Sequence, residues 1–250
     1  MITIKTKEEI AIIAEGGKIL SNTIKELEKM VKPGITTMEL NRAAEALILS
    51  AGGKPAFKGC EGFPYALCIS VNENVVHGFP SSYALKDGDI VKLDLGVTYK
   101  GFNTDMAITV PVGNISFEVK RLLNVTKKAL RLGIKKAKVG NTIGDIGNTI
   151  QRFVEDQGFG VVRDLCGHGI GRGVHEDPQI PNFGRRGTGE KIVEGMVICI
   201  EPIITMGDYR IITAKDGYGY ATRDNSFAAH FEHTIAIIKS GPKVLTDLEK

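Results

Sequence analysis

The order of elements along the 250-residue chain predicts an α+β fold with two similar halves. Each half reads as two helices followed by strands, and Lys32-Pro-Gly34-Ile-Thr36 has a counterpart in Lys138-Val-Gly140-Asn-Thr142, 106 residues later. A repeat this long excludes a solenoid, whose periods are roughly 20–50 residues. No Pro/Ser-rich linker separates the halves, so we expect a single domain over residues 1–250 with its halves related by a pseudo-twofold axis.

Capping boxes mark the starts of the first two helices, because a Thr N-cap and a Glu three residues later satisfy free backbone N–H groups. Thr6-Lys-Glu-Glu9 predicts a helix over about 7–31, which Lys32-Pro-Gly34 ends. Thr36-Thr-Met-Glu39 predicts a second helix that ends near Gly52. Two further helical stretches are predicted over about 116–135 and 143–156.

Runs rich in Val, Ile and Leu predict the strands. They cover Ala66–Val71, Ile90–Val97, Thr104–Val110, Gly160–Arg163, Val197–Pro202, Arg210–Thr213 and Glu232–Ile238. A turn near Tyr99-Lys100-Gly101 would fold the second and third of these into a hairpin that places Asp94 opposite Asp105. Opposed side chains lie ~5 Å apart at Cβ, so two ionised carboxylates there need a cation between them, or one must take up a proton.

The second half supplies the same kind of group. Glu201 lies inside one predicted apolar strand and Glu232 begins another. A buried acid without a partner is unfavourable, and two such acids in each half favour a metal site over solvated carboxylates.

Histidines add to this set. The glycine-rich segment around His168 opens no helix, so we expect a close-approach loop that brings His168 and His175 to the acids, not a phosphate cradle. One histidine with four carboxylates suits Mn²⁺, Fe²⁺ or Co²⁺ as well as Zn²⁺, and bridging carboxylates would hold two ions ~3.5–4 Å apart. By position alone His77 is an ordinary loop histidine, and we interpret His230 and His233 as structural.

Composition predicts a globular protein of the cytosol. Net charge is +3 with Lys and Arg spread along the chain, which argues against specific nucleic-acid binding. The four cysteines form no C-x-x-C pair and are expected as free thiols in a reducing compartment. The polar N-terminal segment lacks a signal-peptide core, and no apolar run reaches the ~18 residues that span a membrane.

Taken together, these residues and the segments around them resemble type I methionine aminopeptidases over nearly the whole chain. The matching segments are Ser70–Gly78, Lys92–Gly96, Cys166–Gly171, Val174–Glu176, Ile200–Pro202 and Phe231–Thr234. The resemblance implies a single metallopeptidase domain with the pita-bread fold, two pseudo-symmetric halves around a curved, mainly antiparallel sheet. The short interval from His175 to Glu201 leaves no room for the type II helical insertion, and we expect no zinc-binding N-terminal extension, so the bacterial-like short form is the expected match.

The resemblance also implies an activity, removal of the initiator methionine from nascent proteins and peptides whose second residue is small. Water activated by two divalent ions (Co²⁺, Mn²⁺, Fe²⁺ or Zn²⁺) would attack the scissile peptide bond. The implied metal ligands are Asp94, Asp105, His168, Glu201 and Glu232.

Roles for individual side chains follow from the same resemblance. Glu201 would accept a proton from the water, His175 would stabilise the developing oxyanion, and His77 would hydrogen-bond the scissile amide nitrogen. The implied substrate-binding residues are His77, His175, Phe63, Tyr65, Cys68 and Tyr218. The expected partners are nascent polypeptide N-termini at the ribosome, bound by a cytoplasmic monomer.

Three residues depart from the family pattern and affect the expected pocket shape. Val174 replaces an aromatic residue, Phe63 a frequent Tyr, and Tyr218 a Trp. Two other classes of protein remain open. A prolidase or Pro-specific aminopeptidase shares the ligand set but usually carries an added N-terminal domain, which we do not expect in this protein. A non-catalytic binding module of the same fold would typically have lost ligands, and all five are present.

Overall fold

The computed structural model describes residues 2–248, so Met1, Glu249 and Lys250 of the predicted domain lie outside the described part. Its α-helices are α1 (Lys7–Met30), α2 (Thr37–Ser50), α3 (Phe117–Lys136) and α4 (Ile143–Asp156). Both predicted capping boxes are present: the Thr6 and Thr36 hydroxyls accept from the N–H groups of Glu9 and Glu39, whose carboxylates accept from the N-cap N–H groups. The helix predictions are confirmed to within about two residues at each end.

Short strands make up most of the remaining regular structure. They are β1 (Lys54–Pro55), β2 (Leu67–Val71), β3 (Asn74–Val76), β4 (Ile90–Tyr99), β5 (Phe102–Pro111), β6 (Gly160–Val161), β7 (Cys166–Gly169), β8 (Glu176–Pro181), β9 (Val197–Ile200), β10 (Ile203–Thr205), β11 (Ile211–Thr213), β12 (Tyr220–Thr222), β13 (Ala228–His230), β14 (His233–Ile238) and β15 (Gly241–Val244). A 3₁₀ turn at Cys60–Gly62 precedes β2. The seven predicted strands are present with shifted ends, and the other strands were not predicted.

The strands form four hydrogen-bonded groups, and every described pairing is antiparallel. In the first half, β4 lies between β5 on one side and β1 and β2 on the other. In the second half, the order is β15-β14-β9-β7-β8. Two three-stranded groups, β13-β10-β6 and β11-β12-β3, complete the arrangement.

The two halves repeat each other in backbone conformation as well as in sequence. Helices α2 and α4 both contain 14 residues. Gly34 and Gly140 precede them with φ of 92° and 90°, and Gly52 and Gly158 follow them with φ of 79° each. A left-handed conformation at these four turns favours glycine, so the matched glycines confirm the predicted pseudo-symmetry.

Two buried threonines join the halves. The Thr234 hydroxyl on β14 accepts from the N–H of Asp105 at 2.9 Å and donates to its C=O at 2.7 Å. The Thr109 hydroxyl on β5 accepts from the N–H of His230 at 2.9 Å and donates to its C=O at 2.7 Å. Each half therefore inserts one hydroxyl into the backbone of the other, where buried N–H and C=O groups need partners.

One apolar core crosses both halves, with Leu93 and Met106 of the first in the same cluster as Ile150 and Ile198 of the second. Among residues 2–248, no helix is both long enough and apolar enough to cross a membrane. The four cysteines are free thiols, as the sequence predicts.

Candidate metal centre

The β4–β5 hairpin carries the first two acids, in a register that differs from the predicted one. Asp94 pairs with Ala107 and Asp105 pairs with Gly96, so the two acids are diagonal neighbours and the prediction of a directly opposed pair is wrong. The turn is the two-residue step Lys100-Gly101, both with positive φ, which moves its centre toward the C-terminus. Because the register shift is two residues, both carboxylates still lie on the same face.

Glu201 and Glu232 lie at the end of another antiparallel ladder. Strands β9 and β14 pair as far as Ile200 and His233, so these two acids come next and face each other just beyond the ladder. The sequence placed both inside strands, which is wrong by one residue in each case. The N–H of Glu232 donates to the C=O of Ala107 on β5 at 2.9 Å, which brings the second ladder against the first hairpin.

These contacts bring the acids of the two halves together. Oxygen atoms of Asp94, Asp105 and Glu232 all lie within 4.8 Å of one another, and all three side chains are buried. One carboxylate oxygen on each of these residues has no hydrogen-bond partner within residues 2–248. Buried, unpaired carboxylate oxygens at this spacing are what a divalent cation would satisfy.

His168 lies on β7 and points its Nε2 atom at the acids. The Nε2 atom is 3.8 Å from oxygens of Asp105 and Glu201 and 3.9 Å from Glu232. Its Nδ1 atom is 2.9 Å from the Gly169 C=O, which fixes the tautomer with the N–H on Nδ1 and the lone pair on Nε2. Burial lowers the pKa of His168 to about 4, so the ring is neutral and able to bind a metal.

Glycines on either side of His168 allow this approach. A Cβ atom on Gly167 would lie 2.3 Å from the Cys199 C=O, and one on Gly169 would lie 2.0 Å from the Asp177 C=O. The segment was predicted as a loop, but it forms a short strand that pairs with β8 and β9. The predicted reason for its glycines, close approach of the backbone, is confirmed.

Electrostatics also favour a cation at this place. Burial raises the pKa of Asp94 to about 7 and that of Glu201 to about 8. Burial, reinforced by neighbouring carboxylates, raises the pKa of Asp105 and Glu232 well above the ordinary values. Without positive charge the four acids cannot all be ionised, and divalent cations would restore the charged forms. The donor set, four carboxylates and one neutral imidazole, therefore fits divalent metal ions.

A buried thiol also lies near this set. The Cys199 Sγ atom, one ring nitrogen of His168 and one carboxylate oxygen of Glu232 lie within 4.8 Å of one another. The Sγ atom is also 3.5 Å from the Thr234 hydroxyl. Burial raises the pKa of this thiol well above its ordinary value, so without a cation the thiol is protonated.

Two more predicted residues flank the acids. His77 follows β3 with a positive φ of 59°, and burial lowers the pKa of its ring to about 4, so it is neutral. The ring of His175 lies perpendicular to that of His168, with 4.6 Å between centroids, and its side chain is 50% exposed. Both histidines line the same cavity as the acids.

The segment that carries His175 is held from the N-terminal end of the chain. The carboxylate of Glu176 accepts from the Lys5 ammonium at 2.7 Å and from the Thr3 hydroxyl at 2.6 Å. Its other oxygen accepts from the N–H of Gly173 at 2.9 Å. These bonds close the loop before His175 and fix where that ring enters the cavity.

The cavity, of about 590 Å³ with its open mouth included, has an apolar wall beside the acids. Phe63, Cys68 and Tyr218 of the predicted pocket line it, together with Phe57 and Val76, which the sequence did not predict. Tyr65 does not line the cavity. Its ring packs edge-on behind Phe63, with 5.9 Å between centroids.

The chain matches a known protein family over most of its length. A family model described as Metallopeptidase family M24 matches residues 11–239. The chain belongs to metallopeptidase family M24. Its metal-binding character and pita-bread fold are therefore those of the family, and the resemblance seen in the sequence is confirmed.

Relatives of this M24 chain match it end to end. "Methionine aminopeptidase" of Clostridium perfringens is 53% identical over 246 residues, 98% of this chain and 99% of the relative. "Methionine aminopeptidase 1" of Bacillus subtilis is 46% identical over the same shares of the two chains. The crystal structure of methionine aminopeptidase from Thermotoga maritima superposes with a TM-score of 0.97 at 44% identity, over 99% of this chain and 100% of that one.

The prolidase from Pyrococcus furiosus is a more distant structural neighbour of the M24 chain. It has a TM-score of 0.79 at 27% identity, and the match covers 99% of this chain but 66% of the prolidase. The shared fold therefore extends to prolidases, while the higher identity and the end-to-end match are with the methionine aminopeptidases.

One histidine in the M24 cavity was not predicted. His230, interpreted from the sequence as structural, lines the cavity two residues before Glu232. Side chains two residues apart in extended backbone lie on the same face, so alternation along this segment is the signal that could have found it. Cys60 and Glu61 also line the cavity, and their position in an irregular turn leaves no sequence signal.

Proposed function

We propose that the chain removes N-terminal methionine from polypeptides whose second residue is small. The observation that carries this proposal is the coincidence, in one cavity, of a carboxylate-histidine set suited to divalent metals and an apolar aromatic wall. The end-to-end identity of 53% to a methionine aminopeptidase supports it.

The ligand set suits two divalent ions, with Co²⁺, Mn²⁺, Fe²⁺ and Zn²⁺ as candidates. Asp94, Asp105 and Glu232 would hold one ion, because their oxygens converge. His168 and Glu201 would hold a second ion together with Asp105 and Glu232, because His168 Nε2 lies 3.8–3.9 Å from an oxygen of each of these three acids. When bound, two such ions supply an acidified water and polarise the scissile carbonyl.

Protein groups carry the remaining steps. Glu201 would accept the proton of the water, since it borders both the metal ligands and the open cavity. His175, half exposed beside His168, would stabilise negative charge on the carbonyl oxygen. His77, neutral at physiological pH, would hydrogen-bond the scissile amide nitrogen and orient it.

The methionine side chain would lie against the aromatic wall. Phe63 and Tyr218 have ring centroids 5.6 Å apart and border the cavity beside Cys68. Thioethers make favourable contacts with ring edges, and burial keeps the Cys68 thiol protonated by raising its pKa. A pocket of this kind prefers Met over Leu without excluding Leu, because one methylene is worth only ~1–3 kcal/mol.

Space beyond the scissile bond limits the second substrate residue. His77 and the acids crowd this end of the cavity, so Ala, Gly or Ser is expected there and Lys or Phe is not. The test is kcat/KM across Met-X-Ser tripeptides with added Mn²⁺ or Co²⁺, together with an Ala-Pro substrate. Equal rates for X = Ala and X = Phe contradict the proposal, and faster cleavage of the Ala-Pro substrate favours a prolidase. No cleavage of any of these peptides favours a binding module.

The setting in the cell belongs to the same proposal. The substrates would be N-termini of nascent chains emerging at the ribosome, and the protein would act in the cytoplasm as a monomer, with residues 1–250 forming one catalytic domain. The core shared by both halves supports a single domain. Analytical ultracentrifugation tests the monomer, and a concentration-dependent rise in sedimentation coefficient contradicts it.

A further inference from the structure

His230 is the one buried histidine of the cavity to which the proposed function gives no role. It ends β13, its side chain is 2% exposed, and neither ring nitrogen has a hydrogen-bond partner within residues 2–248. A buried polar group without a partner is unfavourable, so this ring is expected to meet one when the site is assembled.

The backbone fixes where the His230 ring lies. The Thr109 hydroxyl bonds both the N–H and the C=O of His230, and β13 pairs with β10 at Ile203. The Nε2 atom is 3.6 Å from Glu201 Oε2 and 3.9 Å from Glu232 Oε2. Hydrogen bonds in catalytic sites are often long before ligands bind and shorten in the complex.

Glu201 lies between two imidazoles. Its Oε1 atom faces His168 Nε2 at 3.8 Å, and its Oε2 atom faces His230 Nε2 at 3.6 Å. One oxygen is therefore directed to the metal ligands and the other to His230.

The tautomer decides whether His230 is a ligand or a donor. A ligating histidine almost always donates its second N–H to a carbonyl or carboxylate, as His168 does to the Gly169 C=O. Within residues 2–248 no acceptor lies within hydrogen-bond distance of the His230 Nδ1 atom, whereas two carboxylates face its Nε2 atom. A neutral ring with one N–H is then most stable with the proton on Nε2, where it can donate but not ligate.

We infer that His230 is a positioning residue whose Nε2–H donates to Glu201 Oε2 and holds this carboxylate in place beside the reacting water. The inference rests on the proposed function for the role of Glu201. It does not make His230 a metal ligand.

Three substitutions test this role. His230→Gln keeps an amide N–H at similar reach, His230→Asn keeps the amide but not the reach, and His230→Ala removes the donor. With Met-Ala-Ser and Co²⁺, His230→Ala and His230→Asn should lower kcat about 10- to 100-fold, a typical loss for an outer-shell group, with KM within about threefold. His230→Gln should recover most of the rate.

Binding of Co²⁺ supplies a readout separate from activity. Calorimetric titration should find the same number of Co²⁺ equivalents in wild type and all three variants, because no ligand is removed. Loss of one equivalent of Co²⁺ in His230→Ala overturns the inference and makes His230 a ligand. Equal rate losses in His230→Gln and His230→Ala also overturn it, as does a His230→Ala variant with the wild-type rate.

The two proposals fail in different ways. A wild-type protein that releases no methionine from Met-Ala-Ser contradicts the proposed function, whatever the variants do. The Co²⁺ comparison then still decides whether His230 is a ligand. Melting temperatures of the four proteins identify any variant that has lost its fold, and the remaining variants keep the test decisive.

Discussion

The candidate metal centre and the apolar pocket share one cavity but are built from different kinds of structure. The proposed ligands lie on strands or directly at their ends, and the backbone of Asp105 is held by Thr234 from the other half. The pocket wall comes largely from the irregular segment around Cys60–Gly62 and from Tyr218, whose turn is held by the Asp216 carboxylate. The centre is therefore fixed by paired strands of both halves, whereas the pocket depends on loops and aromatic packing.

This difference explains what the sequence could and could not predict. Asp94 and Asp105 stand out because an acid in an apolar strand is rare and unfavourable. The predicted hairpin register differs from the observed one by two residues, because the positive φ of Lys100 cannot be predicted from the residue type. Face alternation has period two, so this error did not separate the acids.

Pocket residues lack such a signal. Tyr65 and Phe63 are two residues apart in a segment without regular structure, and their aromatic character is the same. Tertiary packing decides that Phe63 borders the cavity and that Tyr65 lies behind it against Phe79, with 5.5 Å between centroids. Aromatic residues in loops indicate a cluster, but not which ring faces the ligand.

The largest expected effect is loss of a carboxylate that we propose as a ligand of both ions. Asp105→Ala or Glu232→Ala should abolish methionine release and lower the metal content, because each carboxylate is shared by both parts of the centre. Elemental analysis and a Met-Ala-Ser assay under trace metal check this, with the exposed Glu118→Gln as the control. Full activity in either alanine variant would refute the ligand assignment.

After metal removal, the free energy of unfolding should depend on pH through the buried carboxyl groups. Burial and carboxylate neighbours raise the folded-state pKa of Asp105, while in the unfolded chain it is ~4. Above pH ~4 this carboxyl is protonated in the folded state and ionised in the unfolded chain. The free energy of unfolding therefore falls as pH rises toward the folded pKa, by at most about 1.4 kcal/mol per pH unit.

The comparison that isolates this carboxyl is Asp105→Asn against wild type, both in EDTA, by denaturant unfolding from pH 5 to 8. Other groups titrate in both proteins, so their contributions cancel to first order in the difference between the two unfolding free energies. The stability advantage of Asp105→Asn should grow with pH. A difference that does not change with pH contradicts the burial argument.

Removing His77 should affect rate and spare the metals. His77 lines the cavity, but among residues 2–248 it belongs to neither group of side chains whose ligand atoms converge. His77→Ala should lower kcat by ~10²-fold, typical of a positioning or proton-handling group. Steady-state kinetics and metal analysis measure both quantities, and loss of metal in the variant would show that His77 is a ligand.

The threonines between the halves should contribute to stability. Thr234→Val leaves the buried N–H and C=O of Asp105 without partners, at a cost of about 1–3 kcal/mol in unfolding free energy. Thr109→Val should have a similar effect through His230. The exposed Thr213→Val is the matched control in denaturant unfolding. Equal stability of all three variants would mean that these hydroxyls do not join the halves energetically.

The smallest effect is expected in the pocket. Phe63→Leu removes one ring edge from the cavity and should lower kcat/KM for Met-Ala-Ser by the equivalent of about 0.3–1.5 kcal/mol, without change in metal content. Tyr65→Leu should cost less, because that ring packs behind Phe63. A larger loss for Tyr65→Leu would place Tyr65, as the family resemblance implies, in contact with substrate.

Metal stoichiometry coupled to turnover tests the central account most directly. Protein purified without oxygen is analysed for bound metal, stripped, and titrated with Mn²⁺ in a calorimeter while methionine release from Met-Ala-Ser is followed in parallel samples. We predict binding of two equivalents, no methionine release without metal, and release that appears as the ions bind. Methionine release by the stripped protein, or saturation at fewer than two equivalents with full activity, would contradict a dinuclear centre built from both halves.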